Sequence, residues 1–379
     1  MTILVTLACY LRTFSSSNGS LTYFLNFILL TFFSLGVFVS SSLLGFYVIF
    51  ELRLIPIVFI ILGWGYQPER LKARMALLLY TITASLPLLL SILTLNNWGS
   101  TTFLSLSQNV GELSYFSTNL ISAMLRFAFL VKLPMFLVHM WLPKAHVEAP
   151  VGGSIFLAAV LLKLGGLGVI RVIRTLSPSI FVMVAFAISA TSLIWIGFVA
   201  TSHRDIKSII AYSSVAHMGL SLIAILVGNF RRVLRGFMVL LTHGGSSSFM
   251  FIESFFIYTR SKSRSILLSK NSLSWSGFFA LAWFIACLGI IGAPPTRNIW
   301  AEVLCIVALI RYSFFTLVFL IIGALLAGAY SLALFSFVYH CKSSNKPWIA
   351  PTTFLERRVG CFHVFWLVAP FLLVPWLIC

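Results

Sequence analysis

The sequence predicts an all-α polytopic membrane protein with about eleven transmembrane helices. Three observations predict it. The 379 residues are 60% hydrophobic and only 9% charged, with a mean hydropathy of +1.04; a soluble domain carries about 25% charged residues. Apolar runs of about 20 residues, the length that crosses a hydrocarbon core, recur along the whole chain. The loops between them are too short to hold a soluble domain. Backbone polar groups in lipid have to be paired within their own segment, and helices of this length and hydropathy do that.

Taken in order, the stretch 1–11 is apolar but too short to span. No basic start or small-residue cleavage site marks it as a cleaved signal. Spans follow at 22–40 and 41–63, the second carrying Glu51 and Arg53 in FELRLIP. A basic loop leads to the span at 75–95. The next, 118–140, carries Arg126, Lys132 and His139, with Pro134 between the last two. Proline removes a backbone donor and clashes with the preceding turn, so the helix is expected to kink or open there, and the freed carbonyls to attract water. The span at 150–172 holds Lys163 in VLLKLGGLG, whose glycines permit close helix approach. Spans at 178–200, 206–227 with His217, and 234–258 with His243 and Glu253 come next. The ninth, 275–309, is broken at Pro294 and Pro295 and carries Arg297 and Glu302; 311–339 and 361–379 complete the set.

Glu51 and Lys132 lie 81 residues apart, His217 and Glu302 85. Each pair joins a titratable group on an intact span to one on a proline-broken span two helices later. Five helices separate the two units, an odd number, so the second copy runs inverted. Inverted repeats with broken helices are a transporter pattern. The expected organisation is an N-terminal segment 1–21, a first five-helix repeat 22–172, a second 173–340, and a loop with the C-terminal helix at 341–379.

The net charge of +18 suggests nucleic acid in a soluble protein, but here the basic residues sit between spans. Fifteen fall on one side of the predicted membrane, six on the other. The positive-inside rule makes the richer side cytoplasmic or matrix and leaves the C-terminus opposite. The six cysteines are scattered without CxxC spacing, giving neither a disulfide framework nor a metal site. HVEAP lacks a second histidine at zinc spacing, and the glycines of GGSIFLAAVLLKLGG follow no strand, which excludes a dinucleotide fingerprint.

Charges within spans are costly and mark ion or proton pathways by default. Burial disfavours an ammonium ion while a nearby carboxylate favours it, and that combination lets an amine accept and release a proton. Lys132, beside its helix break, reads as such a relay; the plain alternative is a lysine snorkelling to the interface. Glu51 reads as its modulating carboxylate or as a structural ion-pair partner. Lys163 has no acidic residue at helical spacing. Glu302 mirrors Lys132 on the other broken span. His217 and His243, each among serines, read equally as relays or as satisfied interior residues. His139, near the end of its span, is a weaker candidate. For Arg53, Arg126, Arg297 and Glu253 the expectation is anchoring, pairing or snorkelling, because arginine stays charged and cannot relay a proton.

The stretches FELRLIP, GWGYQPERLKA, LVKLPMFLVHMWLPKAHVEAPVGGS, AAVLLKLGGLG, RDIKSIIAYSSVAHMG, THGGSSS and GAPPTRNIWAEV resemble, in order and from about residue 40 to 310, the chain 4 family of mitochondrial NADH:ubiquinone oxidoreductase (respiratory complex I), antiporter-like subunits of its membrane arm. The resemblance implies a fourteen-helix fold with two inverted five-helix repeats, of which this chain would be an N-terminally shortened version. It implies proton translocation in the mitochondrial inner membrane, with the C-terminus on the intermembrane-space side. NADH, FMN, iron–sulfur clusters and ubiquinone would be handled by partner subunits and no cofactor by this chain. Its partners would be neighbouring membrane-arm subunits and lipids, not nucleic acid. Glu51 then resembles the modulating glutamate, Lys132 the pumping lysine, Lys163 the central linking lysine, His217 and His243 the connecting histidines, and Glu302 the terminal residue of the second half-channel. Arg53, Arg297 and Glu253 depart from the pattern. Arg297 is five residues from Glu302; if it reaches across the break, it would hold the glutamate ionised. A cation/proton antiporter subunit and a structural subunit without transport are the alternative readings.

Overall fold

The computed structural model describes residues 21–65, 67–97, 115–173, 180–270, 277–310, 313–340 and 353–378. The segment 1–20 lies outside the described residues, as do Arg12, Arg174, Arg311, Lys342 and Lys346 of the charge asymmetry. The described chain is helical apart from short connections. In order it forms α1 (Leu21–Val39), α2 (Leu43–Leu52), α3 (Leu54–Trp64), α4 (Arg70–Asn97), α5 (Tyr115–Lys132), α6 (Trp141–Glu148), α7 (Val151–Phe156), a π-helical turn at Leu157–Leu161, and α8 (Leu162–Ile173). There follow α9 (Ile180–Ser202), α10 (Ile206–Leu226), α11 (Phe230–Ser261), α12 (Gly277–Ile291), α13 (Asn298–Ile310), α14 (Thr316–Tyr339) and α15 (Phe354–Ile378).

Seven stretches among the described residues are long and apolar enough to cross a membrane: Leu21–Val39, Leu43–Trp64, Arg70–Asn97, Val151–Val172, Ile180–Ser202, Ile206–Leu226 and Phe315–Tyr339. The other four predicted spans are not among them. The run 118–140 stops at Lys132; 234–258 lies within the 32-residue α11, which carries four arginines and Glu253; 275–309 divides into two short apolar helices; and 361–379 falls mostly within α15. One expectation is corrected here. The segment 141–149 is not a loop but α6, with Trp141, Leu142, Ala145, His146 and Glu148 all buried. Its apolar positions recur at helical spacing, which outweighs the lone Lys144.

The described residues divide into two compact units. One holds those up to Ser189 together with Ile225–Val233; the other holds Ala190–Ala224 and those from Leu234 onward. The helices bearing Lys163 and His217 are the interior ones. Their apolar stretches are 83% and 94% buried, against 44% or less in the other five candidate spans. In the first unit Phe46, Phe50 and Phe129 pack edge-to-face or stacked at centroid distances of 5.4–5.8 Å. In the second, the Tyr339 hydroxyl donates to the Phe279 carbonyl at 3.2 Å beside Trp283. Lipid offers no hydrophobic drive between helices, so small residues that allow close packing matter. α9 and α14 meet through two of them: a Cβ at Gly197 would stand 2.7 Å from Leu326, and one at Gly323 2.9 Å from Leu193.

Candidate functional site

In the first unit the predicted break is real and internally satisfied. α5 ends at Lys132; Leu133 N–H still donates to Phe129 O at 2.7 Å. Pro134 has no N–H to offer Leu130 O, which accepts instead from Met135 N at 3.1 Å. Val131 O, whose partner in a continuing helix would be Met135 N, accepts from the Trp141 indole at 3.0 Å. These two released carbonyls are thus each taken by a protein donor. The break leaves Lys132 at a helix C-terminus, where the macrodipole favours a cation.

Lys132 is 4% exposed and its Nζ lies 2.5 Å from Glu51 Oε1 on α2. This buried position removes the snorkelling alternative. Its Nζ also stands 3.8 Å above the Phe50 ring, and Arg53 Cζ stands 3.9 Å from the same ring. One aromatic ring therefore carries two cations, each within the range of a cation–π contact. Arg53 is 2% exposed, donates Nε to Phe50 O at 2.9 Å, and leaves Nη1 without a hydrogen-bond partner. Arg53 does not share a helix face with Glu51, but three residues from Phe50 it falls on the side of that ring. Lys163 follows the π turn and donates to Ala158 O at 2.5 Å, 7% exposed. Such turns widen a helix locally and recur at functional positions. Gly165 carries α8 close to the break: a Cβ there would meet Leu133 N at 3.0 Å and Lys132 C at 3.2 Å.

In the second unit His217 on α10, His243 on α11 and Glu302 on α13 come together. His217 Nδ1 lies 3.3 Å from Glu302 Oε1, and the two imidazoles stack at 4.8 Å and 25°. Gly292, at φ +71°, ends α12, and any Cβ there would run into the Glu302 carboxylate. Only glycine enters this left-handed backbone region without cost. Arg297 does not reach Glu302. Its guanidinium lies 4.9 Å from the Trp366 ring and against Gly245. The contact that would have held the carboxylate ionised is thus not made. The break directs residue 297 toward α15 and residue 302 toward α10, which helical spacing alone does not reveal.

Of the remaining charges, Arg126 and Glu253 are each 1% exposed, so neither snorkels. His139 is buried and stacks on Phe136 at 5.5 Å. Sequence reasoning missed His146 and Glu148, both buried in α6, where Ser154 Oγ donates to His146 O at 3.1 Å; the apolar spacing of WLPKAHVE was the available signal. It also missed His363, buried on α15 and stacked on Phe249. Among the described residues no three His, Cys, Asp or Glu side chains converge on a metal position. Cys287 and Cys305 are buried and free, and Cys361 is exposed and free. What the two assemblies offer chemically is a buried acid–base pair each: amine with carboxylate, and imidazole with carboxylate.

A family described as "NADH:quinone oxidoreductase/Mrp antiporter, TM" matches residues 40–343. The chain is 42% identical over 300 residues to NADH-ubiquinone oxidoreductase chain 4 of Aedes aegypti, an alignment covering 78% of this chain and 66% of that one. This chain thus spans just under two thirds of that relative's length. Its fold is similar to a chain of the archaeal membrane-bound sulfane sulfur reductase complex, at TM-score 0.89 and 17% identity, covering 98% of this chain and 78% of that one. It is also similar to a chain of Thermus thermophilus respiratory complex I with bound NADH, at TM-score 0.78 and 23% identity, covering 92% and 77%.

Proposed function

The chain belongs to the NADH:quinone oxidoreductase/Mrp antiporter transmembrane family, and from that premise we propose that it is a proton-translocating subunit in the membrane arm of NADH:ubiquinone oxidoreductase. It is a multi-pass membrane protein. In this reading it resides in the mitochondrial inner membrane with its C-terminus toward the intermembrane space. Neighbouring membrane-arm subunits are its partners. NADH, FMN, iron–sulfur clusters and ubiquinone are bound elsewhere in the complex. The eleven helices and two inverted five-helix repeats, 22–172 and 173–340, belong to the same reading.

The observation that carries it is the buried contact between Lys132 and Glu51. With the carboxylate in place the ammonium form is stabilised; with it withdrawn, burial favours the neutral amine and a proton leaves. One unit of proton affinity corresponds to about 1.4 kcal/mol, and moving a charge against 100 mV costs roughly 2.3 kcal/mol. A change of a few units per stroke therefore suffices. The proton then passes by water through Lys163, His217 and His243 to Glu302. Support for the second half comes from the His217–Glu302 contact and from Arg297 being turned away. In a purified, reconstituted complex Lys132→Ala is expected to assemble yet lose this subunit's share of pumping. An unchanged proton-to-electron ratio would overturn the reading. The family description also names antiporters, so a cation/proton antiporter subunit is the second reading; sodium-dependent transport without NADH chemistry would favour it.

A further inference from the structure

α11 and α15 run antiparallel in the second unit, and polar side chains meet along them rung by rung. At one end Arg260 Nη2 binds Glu356 Oε2 at 2.7 Å. Deeper, the Glu253 carboxylate faces Gly360, its Oε1 3.8 Å from where a Cβ would stand. Next, Phe249 and His363 stack at 5.5 Å and 11°. At the inner end the Arg297 guanidinium lies between Gly245 and Trp366. The positions run 245, 249, 253 and 260 on α11 and 366, 363, 360 and 356 on α15, spacings that keep each set on one helix face. One step further in, Asn298 Nδ2 donates to Ser246 Oγ at 3.0 Å, and Ser247 Oγ binds the carbonyl of His243 at 2.7 Å. The seam therefore leads from the histidine–Glu302 assembly to the membrane face where α11 ends and α15 begins.

Three features show that this seam is more than packing. The Nε and Nη2 of Arg297 are buried and take no hydrogen bond from the protein, so a permanently charged guanidinium presents two donors to the seam that only water or an anion can satisfy. His363 Nδ1 donates to Val359 O at 2.9 Å, which leaves Nε2 as the acceptor of the neutral ring. Glu253 is 1% exposed, and a buried carboxyl is retained at a cost that a purely structural helix contact does not require.

We propose that the α11–α15 seam is a water-filled proton conduit joining the His217–His243–Glu302 assembly to the Arg260–Glu356 end, with Glu253 and His363 as its proton-carrying groups. A proton binds one oxygen of the protonated Glu253 carboxyl as the proton on its other oxygen passes toward the next rung, directly or by water beside it, so no charge accumulates in the seam. Arg297 supplies a fixed positive charge at the inner mouth, which opposes uncontrolled hydronium passage.

This inference rests on the pumping role above, and the test separates the two. Protons moved per electron are measured in the assembled complex reconstituted in liposomes, with Glu253→Gln, Glu253→Asp and Lys132→Ala in parallel. Glu253→Gln keeps shape and packing but cannot cycle a proton. It is expected to lower the ratio to the Lys132→Ala value, with Glu253→Asp restoring it. A parental ratio in Glu253→Gln beside a lowered one in Lys132→Ala overturns the conduit and leaves the pumping role standing; parental ratios in both overturn both. Should Glu253→Gln not assemble, the parental complex is treated with dicyclohexylcarbodiimide, which attacks protonated carboxyls in apolar surroundings. An adduct at Glu253 is expected by mass spectrometry, and its absence overturns the conduit.

Discussion

At the scale of single residues, Phe50 is the pivot. Its ring carries Lys132 on one contact and Arg53 on another, with Glu51 next to it in the chain. A buried pair broken on one side leaves an uncompensated charge, at about 3–5 kcal/mol. Glu51→Leu is therefore expected to destabilise by about 3 kcal/mol, and the double change Glu51→Leu with Lys132→Met to recover most of that loss. The thermal inactivation midpoint of the purified complex reads both. Arg53 behaves oppositely. Its Nη1 is buried without a partner and it adds a like charge near the lysine. Arg53→Leu is expected to be neutral or to stabilise by about 1 kcal/mol, measured in the same way. FELRLIP announced that these charges were buried. Its Pro56, which cannot donate to the Leu52 carbonyl, also marked the interruption after Leu52. It did not announce that Arg53 and Lys132 share a ring, because that depends on how α5 packs against α2.

At the scale of elements, the breaks decide where the chemistry sits. Pro134 and the Pro294–Pro295 pair were legible, since proline removes a donor wherever it stands. How the freed groups were satisfied was not legible: the Trp141 indole reaches back ten residues to Val131 O. Trp141→Phe leaves that carbonyl without its donor in a water-poor interior. A loss of about 1–3 kcal/mol is expected, seen as reduced retention of this subunit in the complex on native gels. Gly292 is the corresponding device at the second break. Gly292→Ala forces a Cβ into the Glu302 carboxylate at a left-handed backbone position and is expected to reduce pumping as Glu302→Ala does. Gly63→Ala, on α3 with nothing within 4 Å, is expected to pump normally and to gain about 0.5–1 kcal/mol from helix propensity. The π turn before Lys163 had no sequence signal, since a π turn arises from packing around an inserted residue rather than from a breaker.

At the scale of the whole molecule, the candidate spans differ sharply in burial. Lys163 and His217 ride on the two most enclosed helices, while α1 and α14 present leucine, phenylalanine and isoleucine outward. In the proposed orientation the side richer in basic residues faces the matrix. In a cysteine-depleted background, a membrane-impermeant maleimide is expected to label Lys262→Cys from the matrix side only and Arg231→Cys from the opposite side only; both positions are exposed. Labelling of both from one side would contradict the span order between them.

The sequence by itself determined the class of the protein, the sites of the two proline breaks and the titratable groups held out of water. Hydropathy, proline and charge act locally, and a membrane penalises each misplacement at once. The spacing also joined Glu51 with Lys132 and His217 with Glu302, and both pairs meet in the structure. Only the tertiary structure decided their surroundings: Arg53 and Lys132 share the Phe50 ring, His243 stacks on His217, Arg297 turns to Trp366 instead of Glu302, and α6 is buried where a loop was expected. Those outcomes depend on how helices approach one another through glycines, interruptions and ring contacts, which the periodicity of any single helix does not record.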